Sequence, residues 1–146
     1  MRDKTISILI VEDDEFMASL LQFLCEREGM RVVRVADGRT AKHHMTSVTP
    51  AHAVLLDLLL PQASGMEVLQ DLRRHPAWQH VPVLVVSAID GGGDIARAFA
   101  KGADDYLTKP FNPEELLARL RRLLRLTKTA MPELQLSGQS PGSQDS

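Results

Sequence analysis

Residues 8–14 read ILIVEDD: four aliphatic residues followed directly by three acids. Such an unbroken apolar run is typical of a strand that helices cover on both faces, because neither face can then be polar. Two later runs have the same character, AVLL at 53–56 and VLVV at 83–86, and a polar residue follows each of them. The three runs predict the central strands of a parallel sheet.

The stretches between the apolar runs have the period of amphipathic helices. The first leads to Gly29, a residue suited to a helix C-terminus, and the last is predicted to begin with Asn112 as N-cap and Pro113 in the first turn. Strands that alternate with helices predict an α/β fold, a doubly wound parallel sheet of five strands with five helices. The predicted strands are 6–11, 31–35, 53–56, 82–86 and 105–107.

Length and composition limit the kinds of protein to consider. A chain of 146 residues, 44% hydrophobic and 25% charged, is typical of one globular domain with its own core. The single cysteine excludes a disulfide framework, and a net charge of −2 offers no basic field for nucleic acid. No apolar run approaches the roughly 20 residues of a membrane span. We therefore expect a cytoplasmic protein without a membrane segment or a nucleic-acid partner.

The composition changes near residue 127. Residues 1–126 contain all the predicted strands and helices, whereas 127–146 read TKTAMPELQLSGQSPGSQDS. This second segment is polar, rich in Gly, Ser, Pro and Gln, and has little to bury. We expect one folded domain over 1–126 and a disordered tail over 127–146.

Polar side chains follow four of the predicted strands, at the point where each strand ends. Glu12 and Asp13 follow the first strand, Asp57 the third, Ser87 the fourth and Lys109 the fifth. The carboxyl ends of parallel strands meet at one edge of a sheet, where doubly wound folds bind their ligands. The sequence thus predicts that groups far apart in the chain form one site.

This combination of residue types points to phosphoryl transfer. Crowded carboxylates repel one another, and Mg²⁺, which prefers oxygen ligands, relieves that repulsion. A metal alone would not need an ammonium and a hydroxyl, whereas phosphoryl transfer uses such donors around the oxygens of the transferred group. Asp57 is the best candidate for a nucleophile that forms an acyl phosphate, because it ends an apolar strand and Leu-Leu-Leu-Pro follows it.

Four segments carry a resemblance to a known family: ILIVEDD, LLDLLLPQASG, VLVVSA and GADDYLTKPF, in this order and at this spacing. Over residues 5–126 the chain is similar to the receiver domain of two-component response regulators, the CheY-like phospho-acceptor module. The resemblance implies a flavodoxin-like strand order of 2-1-3-4-5. It also implies a signalling protein that assists its own phosphorylation, rather than a metabolic enzyme.

The resemblance assigns a role to each residue of the predicted site. A sensor histidine kinase or a phosphotransfer protein would phosphorylate Asp57. Asp13 and Asp57 would be direct Mg²⁺ ligands, and Glu12 would act mainly through a metal-bound water. The backbone carbonyl of Leu59 would complete the protein's share of the metal shell.

The remaining roles concern the phosphoryl group and the response to it. Ser87 and Lys109 would each bind a phosphoryl oxygen, and Lys109–Pro110 would be a cis peptide bond. Tyr106 would be the switch residue that turns inward when Ser87 is drawn towards the phosphate. A downstream effector protein would then bind the face formed by the fourth helix, the fifth strand and the fifth helix.

Residues 102–125, GADDYLTKPFNPEELLARLRRLLR, resemble the receivers of winged-helix transcription regulators. Those receivers pair through the same face with ion pairs between subunits. The resemblance implies a phosphorylation-dependent homodimer as a further expectation, although Gly91 and Ile95 stand near positions that are often charged in that group. The charged residues available for such pairs are Asp104, Asp105, Glu115, Arg119 and Arg122.

Our main interpretation is a single-domain response regulator, and other functions remain open beside it. The chain is alternatively the receiver part of a longer regulator, such as a transcription factor, whose output domain is absent here. A phosphate-independent pseudo-receiver scaffold would normally lack Asp13, Asp57 or Lys109, and all three are present. A phosphatase of the haloacid dehalogenase type needs a second aspartate two residues after its nucleophile, where Leu59 stands.

A few other residues carry expectations of their own. Leu59 and Ile89 stand two residues after the acceptor and the hydroxyl residue, and neither side chain can orient a hydrolytic water, so we expect slow dephosphorylation. The glycines at 91–93 weaken the first turn of the fourth helix. Cys25 is expected in the core as a small hydrophobic residue, and Trp78 is expected to cover the edge of the sheet.

Overall fold

The structure, a computed structural model, describes residues 5–47 and 49–130. Within them, five strands alternate with five helices along the chain, so the predicted element order is confirmed. The elements are β1 Ser7–Val11, α1 Glu15–Arg27, β2 Arg31–Val35, α2 Gly38–Ser47, β3 Ala53–Leu56, α3 Gly65–Arg74, β4 Val83–Ser87, α4 Gly92–Ala100, β5 Asp105–Thr108 and α5 Pro113–Ala130.

The strands form one parallel sheet in the order β2-β1-β3-β4-β5, which confirms the predicted fold class and strand order. The register places Val11 opposite Leu56 and Leu56 opposite Val85, so β1, β3 and β4 reach the same edge together. This edge holds the residues that follow each strand. The topology therefore brings together groups that the sequence separates widely.

Both faces of the central strands are buried, which explains why their sequences do not alternate. In β1, Leu9 and Val11 face a core that includes residues of α2, α3 and α4. Ile8 and Ile10 face the opposite core, which includes residues of α1 and α5. Each fully buried leucine or isoleucine contributes about 1.5–3 kcal/mol relative to an exposed one, so these two layers hold the sheet edge in place.

Local signals account for the ends of several helices. The carboxylate of Asp14 accepts from the backbone N–H of Met17 at 2.9 Å and caps α1, and Gly29 follows the end of that helix with φ +84°. The side-chain oxygen of Asn112 accepts from the N–H of Glu114 at 2.8 Å at the start of α5. None of the described helices is long and apolar enough to cross a membrane.

The structure differs from the sequence predictions in a few places. Helix α5 continues to Ala130, so the segment predicted to be disordered from residue 127 begins with four helical residues. No proline or glycine interrupts the chain between Pro113 and Pro132, and Leu, Arg, Lys and Ala are good helix formers. Residues 131–146 of the predicted tail lie outside the described residues. The strands predicted as 6–11 and 82–86 each begin one residue later, and β4 includes Ser87.

Trp78 lies in the core and does not cover the sheet edge. It is fully buried, and its indole N–H donates to the backbone carbonyl of Met45 at 3.0 Å. This bond ties the segment between α3 and β4 to the end of α2. The His44 ring and the indole form a T-shaped pair with 6.2 Å between their centroids. Cys25 is fully buried, as predicted.

Candidate functional site

One ammonium group lies between two buried carboxylates at the carboxyl edge of the sheet. The Nζ atom of Lys109 donates to Oε1 of Glu12 at 2.7 Å and to Oδ2 of Asp57 at 3.0 Å. The three residues follow β5, β1 and β3, respectively. The structure thus brings together three of the groups that the sequence predicts to form a site.

Asp13 completes a group of three carboxylates. One oxygen each from Glu12, Asp13 and Asp57 lies within 4.8 Å of the others. Glu12 and Asp57 are buried, whereas Asp13 is exposed, so the group is open to solvent on one side. Oxygen ligands with an open side fit Mg²⁺, which prefers carboxylates and retains several waters. The donor set is therefore suited to that ion.

Backbone hydrogen bonds extend the sheet to these acids and fix their positions. The N–H of Asp57 donates to the carbonyl of Val11 at 3.0 Å, and the N–H of Glu12 donates to the carbonyl of Val35 at 3.1 Å. The second carboxylate oxygen of Glu12 accepts from the N–H of Asp14 at 3.1 Å. The acidic residues thus belong to the end of the sheet and the first turn of α1.

The close packing of these charges changes their ionisation. Burial raises the pKa of Glu12 above its ordinary value, against the opposing effect of the Lys109 hydrogen bond. Burial alone would lower the pKa of Lys109, but its hydrogen bonds to Glu12 and Asp57 outweigh that effect and raise it. The lysine therefore stays protonated, and its charge offsets part of the carboxylate repulsion.

The loop that follows Asp57 is folded tightly against the start of α3. The N–H of Leu59 donates to Oδ1 of Asp57 at 3.1 Å, and the N–H of Gly65 donates to the carbonyl of Leu58 at 3.0 Å. A Cβ atom at Gly65 would collide with the carbonyl oxygen of Asp57 and with the Cα of Leu58. This role of Gly65 was not predicted from the sequence, because a close backbone approach leaves no mark on the hydrophobic period.

Ser87 and Tyr106 connect the site to the start of α4. Ser87 is fully buried, and its hydroxyl accepts from the N–H of Ile89 at 3.3 Å. The hydroxyl of Tyr106 donates to the carbonyl of Ile89 at 2.6 Å, and burial raises the pKa of this phenol. The tyrosine ring lies inward in this structure, with Tyr106 almost fully buried.

The backbone around Lys109 is also fixed. The backbone N–H of Lys109 donates to the carbonyl of Ser87 at 2.8 Å, and the Lys109–Pro110 peptide bond is cis.

The charged residues that were expected to pair between subunits are paired within the chain. Nη1 of Arg119 donates to both carboxylate oxygens of Asp105 at 2.9 Å, and Nη2 donates to Glu115 at 2.9 Å. Arg122 approaches Asp105 at 3.6 Å, and Asp104 pairs with Arg73 at 2.8 Å. Ion pairs between two copies would have to replace these existing ones.

A doubly wound sheet of this order, with three acids and a lysine at its carboxyl edge, is the class of fold and site found in CheY-like phospho-acceptor modules. The family described as response regulator receiver domain matches residues 8–121, which is most of the chain. The chain belongs to this family, whose members act in two-component signalling.

Curated relatives support the same assignment. The chain is 44% identical over 119 residues to the sensory transduction protein RegX3 of Mycolicibacterium smegmatis, an alignment that covers 82% of this chain and 50% of RegX3. It is 36% identical over 129 residues to the alkaline phosphatase synthesis transcriptional regulatory protein PhoP of Bacillus subtilis, with 88% and 52% covered. The chain thus spans about half the length of these relatives.

Solved structures of receiver domains are also similar. The N-terminal receiver domain of Klebsiella pneumoniae RstA, activated with BeF3, is 34% identical with a TM-score of 0.75, covering 82% of this chain and 98% of that one. The receiver domain of a sensor histidine kinase from Pseudomonas aeruginosa, with a magnesium ion coordinated in its active site cleft, is 30% identical. Its TM-score is 0.76, with 83% and 98% covered.

Proposed function

We propose that the chain is a phospho-acceptor switch in which Asp57 receives a phosphoryl group in a Mg²⁺-dependent step. The phosphoryl donor is a sensor histidine kinase or a phosphotransfer protein. The observation that carries the proposal is the contact of the Lys109 ammonium with Asp57 and Glu12, in the same pocket as the carboxylate of Asp13. Acids, a cation and a nearby hydroxyl are the groups that phosphoryl transfer to a carboxylate requires.

In this proposal Asp57 is the nucleophile. One carboxylate oxygen forms a bond to phosphorus while the bond between phosphorus and the histidine nitrogen of the donor breaks, and the imidazole leaves with its electron pair. The product is an acyl phosphate on Asp57. The 3.1 Å hydrogen bond from the N–H of Leu59 to Oδ1 holds the carboxylate in one orientation before attack.

Mg²⁺, when bound, would neutralise charge on the carboxylates and on the transferred phosphoryl oxygens. Asp13, Asp57 and the carbonyl of Leu59 would hold it directly, and Glu12 through a water. Lys109 would move from the Asp57 carboxylate to a phosphoryl oxygen, and the hydroxyl of Ser87 would donate to another. The present 3.0 Å contact keeps the Lys109 ammonium close to the place where that negative charge develops.

We place the output on the face formed by α4, β5 and α5. Ser87 and Tyr106 are both bonded to Ile89, which precedes α4, so a shift of Ser87 towards a phosphoryl group would be transmitted to that helix. Phe99 of α4 is 44% exposed and offers an apolar contact on this face. A downstream effector protein, or a second copy of the chain in a phosphorylation-dependent homodimer, would bind there.

The extent of the functional unit is part of the proposal. We infer a cytoplasmic regulator that would act through protein contacts rather than on DNA, and a single-domain regulator is the first of two candidates for its extent. The alternative is the receiver part of a longer transcription regulator, and the double length of the curated relatives supports it. The intact mass of the protein isolated from its own cells decides between the two.

Phosphorylation with acetyl phosphate and Mg²⁺, followed by intact-mass measurement, tests the proposed chemistry. We expect one phosphoryl adduct on the wild type, none on Asp57→Asn, and none when Mg²⁺ is chelated. Asp71→Asn is the matched control, because Asp71 lies on α3 in a surface ion pair with Lys42. Release of phosphate without an adduct would favour a phosphatase, and neither adduct nor consumption of acetyl phosphate would favour a pseudo-receiver scaffold.

A further inference from the structure

Arg73, in the last turn of α3, uses all of its side-chain N–H groups on the opposite edge of the molecule from the acid pocket. Its Nε and Nη2 donate to the carbonyl of Gly102 at 2.9 and 2.7 Å, and Nη2 also donates to Asp104 at 2.8 Å. Its Nη1 donates to the carbonyls of Gln79 and Val81 at 3.1 and 2.8 Å. A guanidinium has five N–H donors in a fixed plane, so every donor is satisfied.

These contacts converge on the end of α4. Gly102 directly follows the last turn of that helix, and its φ of +116° is a conformation that other residues rarely adopt. A Cβ atom at Gly102 would lie 2.7 Å from the Arg73 side chain, so the glycine is required for space as well. Asp104 is in turn bonded to Val83 of β4, through both its backbone N–H and its carboxylate. The C-terminal end of α4 is thus tied to α3 and to the sheet.

The other end of α4 has no comparable support among the described residues. Its N-cap is Gly91, which provides no side-chain hydrogen bond, and Gly92 and Gly93 form its first positions. A Cβ atom at Gly92 or Gly93 would meet nothing within 4 Å. The first closed turn is a single bond from the N–H of Ile95 to the carbonyl of Gly91. Glycines raise the conformational entropy of this end, so it opens more easily.

The loosely held end is also the one connected to the acid pocket. Ile89 stands just before it, bonded through its N–H to the Ser87 hydroxyl and through its carbonyl to Tyr106. A displacement of Ser87 therefore reaches α4 at its glycine-rich end. The far end resists that displacement, because moving Gly102 would break hydrogen bonds from a charged donor, which are stronger than neutral ones.

We propose that Arg73 is a positioning residue that pins the C-terminal end of α4, so that the helix responds to the acid pocket by pivoting about Gly102. The pinning itself is a property of the unmodified protein. Its use in signalling rests on the proposed phosphorylation of Asp57. Arg73 thereby keeps the C-terminal end of α4 fixed, so that the N-terminal end is the part of the output face that moves.

Amide hydrogen exchange on the unmodified protein tests the pinning. In the wild type we expect protection factors of Gly102 and Ala103 to exceed that of Ile95 by about tenfold or more. Arg73→Gln should lower protection at Gly102 and Ala103 by about tenfold, since several charge-assisted bonds are lost. Arg74→Gln is the matched control, because Arg74 is the exposed neighbour of Arg73, and it should leave both values unchanged. Equal effects of the two variants, or no gradient in the wild type, would overturn the proposal.

A second arm follows the response to beryllofluoride with Mg²⁺, a mimic of the phosphoryl group. In the wild type we expect amide chemical-shift changes to be large at Ile95 and small at Ala103. In Arg73→Gln they should extend to Ala103, while the rate of phosphorylation by acetyl phosphate stays as in the wild type. Chemical-shift changes of equal size at both ends of the wild-type α4 would exclude a pivot.

Two controls separate the ways in which this experiment can fail. If Arg73→Gln does not fold, as judged by circular dichroism, Arg73→Lys retains the charge but has only three N–H donors and cannot make all five hydrogen bonds, and it should show a smaller loss of protection at the same amides. Full wild-type protection in a folded Arg73→Lys would contradict the proposal. If no adduct forms on Asp57, the proposed function fails, whereas the exchange gradient in the unmodified protein still confirms or refutes the pinning.

Discussion

The ammonium nitrogen of Lys109 lies 3.0 Å from a carboxylate oxygen of Asp57, although 52 positions separate the two residues in the chain. The same nitrogen lies 2.7 Å from Glu12, so one cation serves two buried acids. Removing it leaves two buried carboxylates without their shared charged partner. The charge balance of the metal-free pocket therefore depends on Lys109.

We expect Lys109→Gln to lower the free energy of unfolding of the metal-free protein by about 1–3 kcal/mol, because two buried carboxylates lose their charged partner. Millimolar Mg²⁺ should recover much of this loss, since the ion binds the folded acid cluster and not the unfolded chain. Urea unfolding with and without Mg²⁺ measures both effects. Lys42→Gln is the control, because Lys42 forms only surface pairs with Glu67 and Asp71. Equal losses in the two variants would contradict the role given to Lys109.

Much of this pocket could be predicted from the sequence, because its residues directly follow apolar strands. Parallel strands fix where Glu12, Asp57 and Lys109 must lie once the strand order is known. The support around them could not be predicted in the same way. Gly65 acts through a close backbone approach, and four of the five hydrogen bonds of Arg73 go to backbone carbonyls. Backbone acceptors are the same for every residue type, so no sequence pattern marks them.

Partners that lie far away in the chain could not be predicted from local composition. Trp78 was predicted to cover the sheet edge, whereas its indole N–H donates to a carbonyl of α2, 33 positions earlier. The partner of Arg119 within the chain, Asp105 of the neighbouring strand, could likewise not be identified from the sequence. Both partners depend on tertiary packing. Local composition predicts that a side chain needs a partner but does not identify it.

Leu59 should determine the lifetime of the phosphorylated state. It stands two residues after Asp57, is 55% exposed beside the pocket, and has no group that could orient an attacking water. We expect Leu59→Asn to accelerate dephosphorylation by about tenfold, because an amide can hold that water in line. Ile89→Glu should act in the same direction. Phosphate release from protein labelled with acetyl phosphate measures the rate.

The control for this effect is Leu126→Asn, because Leu126 is equally exposed, at 52%, but lies far along α5. It should leave the rate of phosphate release unchanged. A Leu59→Asn protein that releases phosphate no faster than Leu126→Asn would remove the argument that apolar residues protect the acyl phosphate.

Phe16 should contribute to recognition of the protein that donates the phosphoryl group. It is 75% exposed in the first turn of α1, three positions after Asp13, so it borders the pocket without belonging to it. Exposed aromatic residues often anchor protein interfaces. We expect Phe16→Ser to slow phosphotransfer from the kinase found by profiling the host's histidine kinases, and to leave phosphorylation by acetyl phosphate unchanged.

Phe23→Ser provides the comparison for Phe16, since Phe23 is 60% exposed two turns further along the same helix. Kinase-dependent transfer should fall more in Phe16→Ser than in Phe23→Ser. If both reactions slow equally in Phe16→Ser, the substitution has damaged the pocket and the docking role is wrong.

Cys25 should give the stability of the protein a recognisable dependence on alkaline pH. Burial raises the pKa of its thiol from 9.0 to about 12, with Glu26 and Glu28 adding to the shift. Folding therefore favours the neutral thiol. The resulting contribution to the free energy of unfolding is fully present below pH 9.0 and is lost as the pH rises towards 12.

Between about pH 8 and pH 10, the free energy of unfolding of the wild type should fall by about 1 kcal/mol more than that of Cys25→Ala, in which the other titrating groups are the same. Urea unfolding of both proteins at the two pH values measures the difference, and slow modification by a thiol reagent near neutral pH should accompany it. Parallel pH profiles for the two proteins would mean that the thiol ionises as readily in the folded state as in the unfolded one, which is incompatible with its complete burial between α1 and the sheet.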